Sequence, residues 1–130
     1  MILIDTHIWI WWISNSERLR GSHRDLLNDA DQQFAISIIS CWEVAKLVQY
    51  SRLELDRPVS EWIASALSYP GLELLPLTPA IAVESTRLPE PFHRDPADQM
   101  IVATARVYRI PLLTEDTRIL AWPHVEFASR

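Results

Sequence analysis

The chain opens Met1-Ile-Leu-Ile-Asp5, a short apolar run closed by an acid. Continuous apolar side chains suit a strand buried on both faces, the condition of a parallel sheet, and such a strand delivers Asp5 to its C-terminal edge. The stretch that follows, Ile-Trp-Ile-Trp-Trp-Ile at residues 8–13, reads as helix. It is far shorter than the roughly 20 residues of a membrane span.

The strand-then-helix unit recurs along the chain. Gly21-Ser22 opens a polar, helix-compatible segment to about residue 31, Phe34-Ala-Ile-Ser37 is a second strand, and Ser40 starts a helix to about residue 50. Pro58 and Ser60 introduce another helix that stops near Pro70-Gly71, where the breaker pair makes continuation costly. Residues 72–77 are a third strand, and Thr78-Pro79 has the N-cap and N1 chemistry of a helix to about residue 88. Pro89, Pro91 and Pro96 bracket a loop. Residues 95–108 are the clearest helix, Pro111-Leu-Leu-Thr114 a fourth strand, residues 116–121 a short helix and residues 125–127 a candidate edge strand.

Strands alternating with helices imply right-handed crossovers and a mostly parallel sheet covered on both faces, a three-layer α/β/α sandwich. With 130 residues and 48% hydrophobic content the chain is expected to form a single domain, residues 1–130, around one core. No repeat or low-complexity tract divides it. The lone cysteine, Cys41, cannot close an internal disulfide, and the N-terminus lacks a basic region and a small-residue cleavage site, so the expected compartment is the cytoplasm.

In open α/β sheets ligands bind beyond the carboxyl ends of the strands. Asp5 ends the first strand, Glu43 enters the helix after the second, Asp98 opens the helix after the proline-rich loop, and Asp116 follows the fourth strand. Each acid also has a capping explanation, because helix N-termini favour acidic side chains. Ser40-Cys-Trp-Glu43 fits a capping box, and Asp95-Pro96-Ala97-Asp98 places Asp95 as N-cap with proline at N1. Asp98, however, shares the i, i+3, i+4, i+7 face with Ile101, Val102 and Ala105, which must pack inward. A carboxylate there needs a cation, a donor or a metal.

Capping does not require four acids to gather at one sheet edge; a metal site does. Oxygen donors without a zinc-type histidine or cysteine set point to a hard ion, Mg²⁺ or Mn²⁺. His7, His23, His93 and His124 are scattered and read as surface or capping residues. The chemistry suited to such a cluster is phosphodiester hydrolysis, in which metal ions activate a water and hold the phosphate. Thr6 and Thr114 adjoin the acids and are placed to orient a ligand or a water.

The order Met1-Ile-Leu-Ile-Asp5-Thr6, Ser37-Ile-Ile-Ser40-Cys-Trp-Glu43-Val, His93-Arg-Asp95-Pro-Ala-Asp98-Gln-Met-Ile-Val-Ala and Leu112-Leu-Thr114-Glu-Asp116 resembles PIN-domain toxins of the VapC type. The resemblance covers nearly the whole chain. It implies a PIN fold, endoribonuclease activity, Mg²⁺ or Mn²⁺ dependence, inhibition by a small antitoxin encoded alongside, and a homodimer that forms larger assemblies with the antitoxin. It places Asp5, Glu43, Asp98 and Asp116 at the family's acidic positions. Asp95 belongs to a His-Arg-Asp-Pro form of the third motif and is a secondary metal candidate beside its capping role.

The net charge of −5 runs against nonspecific nucleic-acid binding over the whole surface, although bound divalent ions would turn the acid cluster attractive to phosphate. Eleven of twelve basic residues are arginine, the side chain suited to bidentate phosphate contacts, and Arg87, Arg94, Arg106, Arg109 and Arg118 are candidates for RNA contact. Lys46, i+3 from Glu43, is expected to pair with that acid or another surface charge, or to reach an RNA phosphate. Trp9, Trp11 and Trp12 lie too close together for all to face one core, so part of this surface is expected to be exposed as a dimer or antitoxin groove.

A phosphoacceptor signalling domain fits poorly, since Lys46 is the sole lysine and no late strand carries one. An Asp-x-Asp phosphatase would need an acid where His7 stands. The remaining alternative is a catalytically inactive PIN-fold module that binds RNA or protein.

Overall fold

The computed structural model describes residues 1–128. Four strands, β1 (Ile2–Ile4), β2 (Phe34–Ser37), β3 (Leu72–Leu75) and β4 (Leu112–Leu113), form one sheet in the order β3-β2-β1-β4, and every pairing is parallel. Helices α1 (Thr6–Ile13) and α2 (Gly21–Leu27) join β1 to β2, and α3 (Ile38–Gln49) and α4 (Val59–Leu67) join β2 to β3. Helices α5 (Pro79–Glu84) and α6 (Pro96–Tyr108) lead back to β4, and α7 (Thr117–Leu120) follows it. No helix among the described residues is long and apolar enough to cross a membrane.

The unbroken apolar runs are explained by burial on both faces of the sheet. Ile2, Ile4, Phe34, Ile36 and Leu113 pack on one side with Ile8 and Trp9 of α1, Val44 of α3 and Trp62 of α4. Leu3, Ala35 and Leu112, their neighbours along the strands, pack on the other with Ile101, Val102 and Ala105 of α6 and Ile119 of α7. Successive strand residues point to opposite faces, so a sheet sandwiched between helices removes alternation from its sequence. Each large side chain so buried contributes about 1.5–3 kcal/mol by leaving water.

Several boundaries move from their expected places. β3 ends at Leu75 rather than residue 77, because Pro76 has no N–H for the ladder. α5 stops at Glu84 rather than residue 88; Ser85 and Thr86 turn their hydroxyls back onto the carbonyls of Ala82 and Val83. α2 stops at Leu27 rather than residue 31, with Asn28 at its C-cap. The expected edge strand at 125–127 is reduced to one parallel bridge between Leu112 and Phe127. α6 needs no glycine to stop: Arg109 takes the left-handed conformation (φ 56°) usual for a helix C-cap.

Of the tryptophans of α1, Trp9 is fully buried while Trp11 and Trp12 keep only part of their surface open. Trp9 is buried edge-on against Trp62, Trp11 is half-buried beside His7, and Trp12 packs on Phe34 and Tyr69 while its indole N–H donates to Asn28. The tryptophan most open to solvent is Trp42 on α3, 47% exposed.

Candidate metal centre

From β1 the chain moves outward to β2 and β3, then returns to lay β4 on the free side of β1. This reversal opens a crevice at the C-terminal ends of β1 and β4, the usual ligand position in such sheets. Asp5 and Thr114 stand on its two sides. The Thr114 hydroxyl donates to Asp5 Oδ2 at 2.7 Å and accepts from the Asp116 N–H at 3.0 Å. Asp5 Oδ1 accepts from the Thr6 N–H and caps α1, while Asp116 Oδ1 accepts from the N–H groups of Arg118 and Ile119 and caps α7.

Glu43, Asp95 and Asp98 each offer an oxygen within 4.8 Å of the others. Asp5 and Asp116 stand outside this tightest group but within its field: repulsion from Asp5 acts on both Glu43 and Asp98, and Asp116 acts on Asp5. Burial pushes the Glu43 carboxyl up to about 7; the Thr6 side chain opposes the rise, and Asp5, Asp98 and Asp95 add to it. Burial likewise pushes Asp98 up to about 6, with Asp5 and Asp95 adding to the rise and His93 opposing it. Asp5 is also raised, by burial first, against the donors Thr114 and Thr6.

The capping box expected at Ser40 and Glu43 does not form. α3 begins two residues earlier, and Ser37 is the N-cap, accepting from the Ile39 N–H at 3.1 Å. Ser40 lies inside the helix, where its Oγ accepts from the Thr6 hydroxyl at 2.8 Å. Glu43, freed from any capping duty, keeps a buried oxygen, Oε1, with no hydrogen-bond partner. Such an orphan is costly unless a cation meets it. Asp95 does cap α6, accepting from the Asp98 N–H at 3.0 Å, and belongs to the cluster as well.

One contact to the acid cluster escapes the sequence reading. His93, expected at the surface, puts Nε2 2.6 Å from Asp98 Oδ2. Its loop is pinned: the ring stacks on Phe92 at 4.5 Å, Phe92 meets Trp122 edge-on, Trp122 donates to the Pro89 carbonyl, and Gln99 donates to the His93 carbonyl. The signal available in the sequence was position, since a histidine two residues before an N-cap can fold over the first turn. Arg118 Nη2 lies 3.7 Å from both Asp98 Oδ2 and Asp116 Oδ2. His23 is buried too, 2.9 Å from Glu115 between Thr114 and Asp116. Of the other arginines, Arg106 is committed to Glu84, while the Lys46 ammonium lies over the Trp42 and Tyr50 rings.

All-oxygen donors, partly buried, mutually repelling and with one oxygen unpaired, fit a hard divalent cation. The chain as a whole is similar to known proteins. Residues 2–125 match the PIN domain. Ribonuclease VapC22 of Mycobacterium tuberculosis is 32% identical over 123 residues, spanning 95% of this chain and 92% of that protein. Among solved structures, a toxin-antitoxin complex from Klebsiella pneumoniae aligns with a TM-score of 0.66 at 27% identity, covering 93% of this chain and 91% of its own. VapBC2 from Rickettsia felis, bound to a DNA fragment from its promoter, aligns at 0.70 over 98% of both chains with 19% identity, a likeness of fold. With the PIN match running almost end to end and a VapC ribonuclease related over the same span, the chain belongs to the PIN-domain family.

Proposed function

We propose that this chain is a metal-dependent endoribonuclease, the toxin of a toxin–antitoxin pair, acting in the cytoplasm, with Asp5, Glu43, Asp98 and Asp116 as catalytic metal-holding residues and Asp95 as an additional ligand. The observation that carries the site is the unpaired buried Oε1 of Glu43, on a carboxylate that has an oxygen within 4.8 Å of oxygens of Asp95 and Asp98. The substrate and partner follow the relatives: one is named a ribonuclease, and another is described as a toxin-antitoxin complex. Mg²⁺ or Mn²⁺ suits the donors, and such an ion supplies water activation and neutralisation of phosphate charge.

The chain's own groups prepare that chemistry. Thr114 fixes Asp5 and, through the Asp116 backbone, the start of α7. His93 orients the Asp98 carboxylate. Arg118, 61% exposed on its side chain, offers a guanidinium at the rim where a phosphate enters. No protein nucleophile is needed.

Purified protein should cleave RNA with Mn²⁺ and stop with a chelator. Asp5→Asn and Asp98→Asn should each abolish cleavage while preserving the circular dichroism spectrum. Full activity in either variant removes that residue from the site, and the absence of metal-stimulated cleavage by the parent protein overturns the reading itself.

A further inference from the structure

We infer that the Trp42–Lys46–Tyr50 face of α3 is a subsite that stacks a base of single-stranded RNA beside the acid cluster; the inference rests on the ribonuclease reading above. These residues stand at i, i+4 and i+8, one face of the helix and its C-cap. Trp42 is 47% exposed and Tyr50 63% exposed. The Lys46 ammonium sits between their rings, 5.8 Å from the centre of Trp42 and 5.5 Å from that of Tyr50.

The face forms one wall of a groove of about 460 Å³ whose other wall is the start of α6. Glu43 and Asp95 also line the groove, so its occupant is continuous with the metal cluster. Lys46, the sole lysine, makes no ion pair with a carboxylate among the described residues, although Glu43 is one turn away. Its charge is held by aromatic faces instead, and Arg52 lines the same groove.

This combination matches one chemistry. Single-stranded RNA alternates a flat aromatic base with a phosphate, and proteins meet it with exposed aromatic rings beside basic groups. A chain of net charge −5 with its acids gathered at the reaction centre needs such a local attraction close by. An apolar protein segment would cover Lys46 and Arg52 without offering either an acidic partner.

The test is Mn²⁺-dependent cleavage of a short random-sequence single-stranded RNA by the parent protein and by Trp42→Ala, Trp42→Phe, Tyr50→Ala and Lys46→Gln. Loss of one stacked base corresponds to about a 5- to 150-fold weakening. Trp42→Ala is expected to raise KM by that range, moving KM more than kcat, and Trp42→Phe to restore most of it. Lys46→Gln should flatten the salt dependence of KM. An abasic sugar-phosphate strand should compete equally well against the parent protein and Trp42→Ala, because it offers no base. The melting shift produced by Mn²⁺ should be the same in all variants.

Unchanged KM in both alanine variants, with metal-dependent cleavage intact, overturns the subsite and leaves the ribonuclease reading standing. A change in oligomeric mass in Trp42→Ala with unchanged KM overturns it in favour of a protein interface. Absence of cleavage by the parent protein removes both readings together.

Discussion

His93 Nε2 lies 2.6 Å from Asp98 Oδ2, and this contact opposes the burial that drives the carboxyl upward. An ionised carboxylate only accepts, so Nε2 carries the hydrogen and the other ring nitrogen is left for the surroundings. Removing the imidazole therefore raises the Asp98 value further. His93→Ala is expected to shift the acidic limb of the pH–rate profile to higher pH and to weaken Mn²⁺ binding about 10- to 100-fold, the usual effect of losing a group that orients a ligand. His93→Gln, which keeps a donor, should recover part of both. An unmoved acidic limb together with unchanged Mn²⁺ affinity would falsify this role.

The raised carboxyls also set how stability depends on pH. Glu43, at about 7, and Asp98, at about 6, bind protons more tightly in the fold than in the unfolded chain. The native state then holds the extra protons, and their stabilisation is lost as pH rises through those two values. Metal-free protein should melt at a lower temperature at pH 8 than at pH 5.5. Mn²⁺ should raise the melting temperature strongly at pH 8 and weakly at pH 5.5, since protons and metal compete for the same oxygens. A metal shift of equal size at both values contradicts the assignment.

Thr114 serves two elements with one hydroxyl, donating to Asp5 across the β1–β4 pair and accepting from Asp116. Thr114→Val keeps the shape and strands both partners. It is expected to cost about 1–3 kcal/mol in chemical denaturation, the penalty for leaving buried polar groups unpaired, and to lower kcat. Thr114→Ser should restore both. Parent-like kcat in the valine variant would separate Thr114 from the reaction centre.

Arg118 partly neutralises Asp98 and Asp116 from the rim. Arg118→Ala is expected to tighten Mn²⁺ binding in the absence of RNA, because a competing cation is gone, while raising KM for RNA. Calorimetric titration checks the first effect and steady-state cleavage the second. Weaker Mn²⁺ binding in the variant would mean that Arg118 supports the metal-holding geometry rather than competing with the ion.

The parallel sheet was legible because burial on both faces writes itself into the strands as unbroken apolar runs, β1 and β2 above all. The acids at their ends were legible for the same reason, since a strand's polarity fixes where its last residue points. What the sequence hid depends on pairings between distant residues. Ser37 and Ser40 are equally good caps by composition, and only the contact of Ser40 with Thr6, thirty-four positions away, assigns the cap to Ser37. His93 reaches Asp98 because Phe92 and Trp122 hold its loop, a contact no local pattern reports. Trp12 is drawn in by Phe34 and Tyr69, while Trp42 stays out because α3 turns that face from the sheet.

The placement of β4 on the open side of β1 has a consequence for synthesis on the ribosome. Asp5, Glu43, Asp95 and Asp98 all emerge before the strand that brings Thr114 and Asp116 beside Asp5. A growing chain can thus bury most of its sheet and most of its acids and still lack the last side of the reaction centre. Until the final strand pairs, Asp5 has neither the Thr114 hydroxyl that fixes it nor Asp116 beside it.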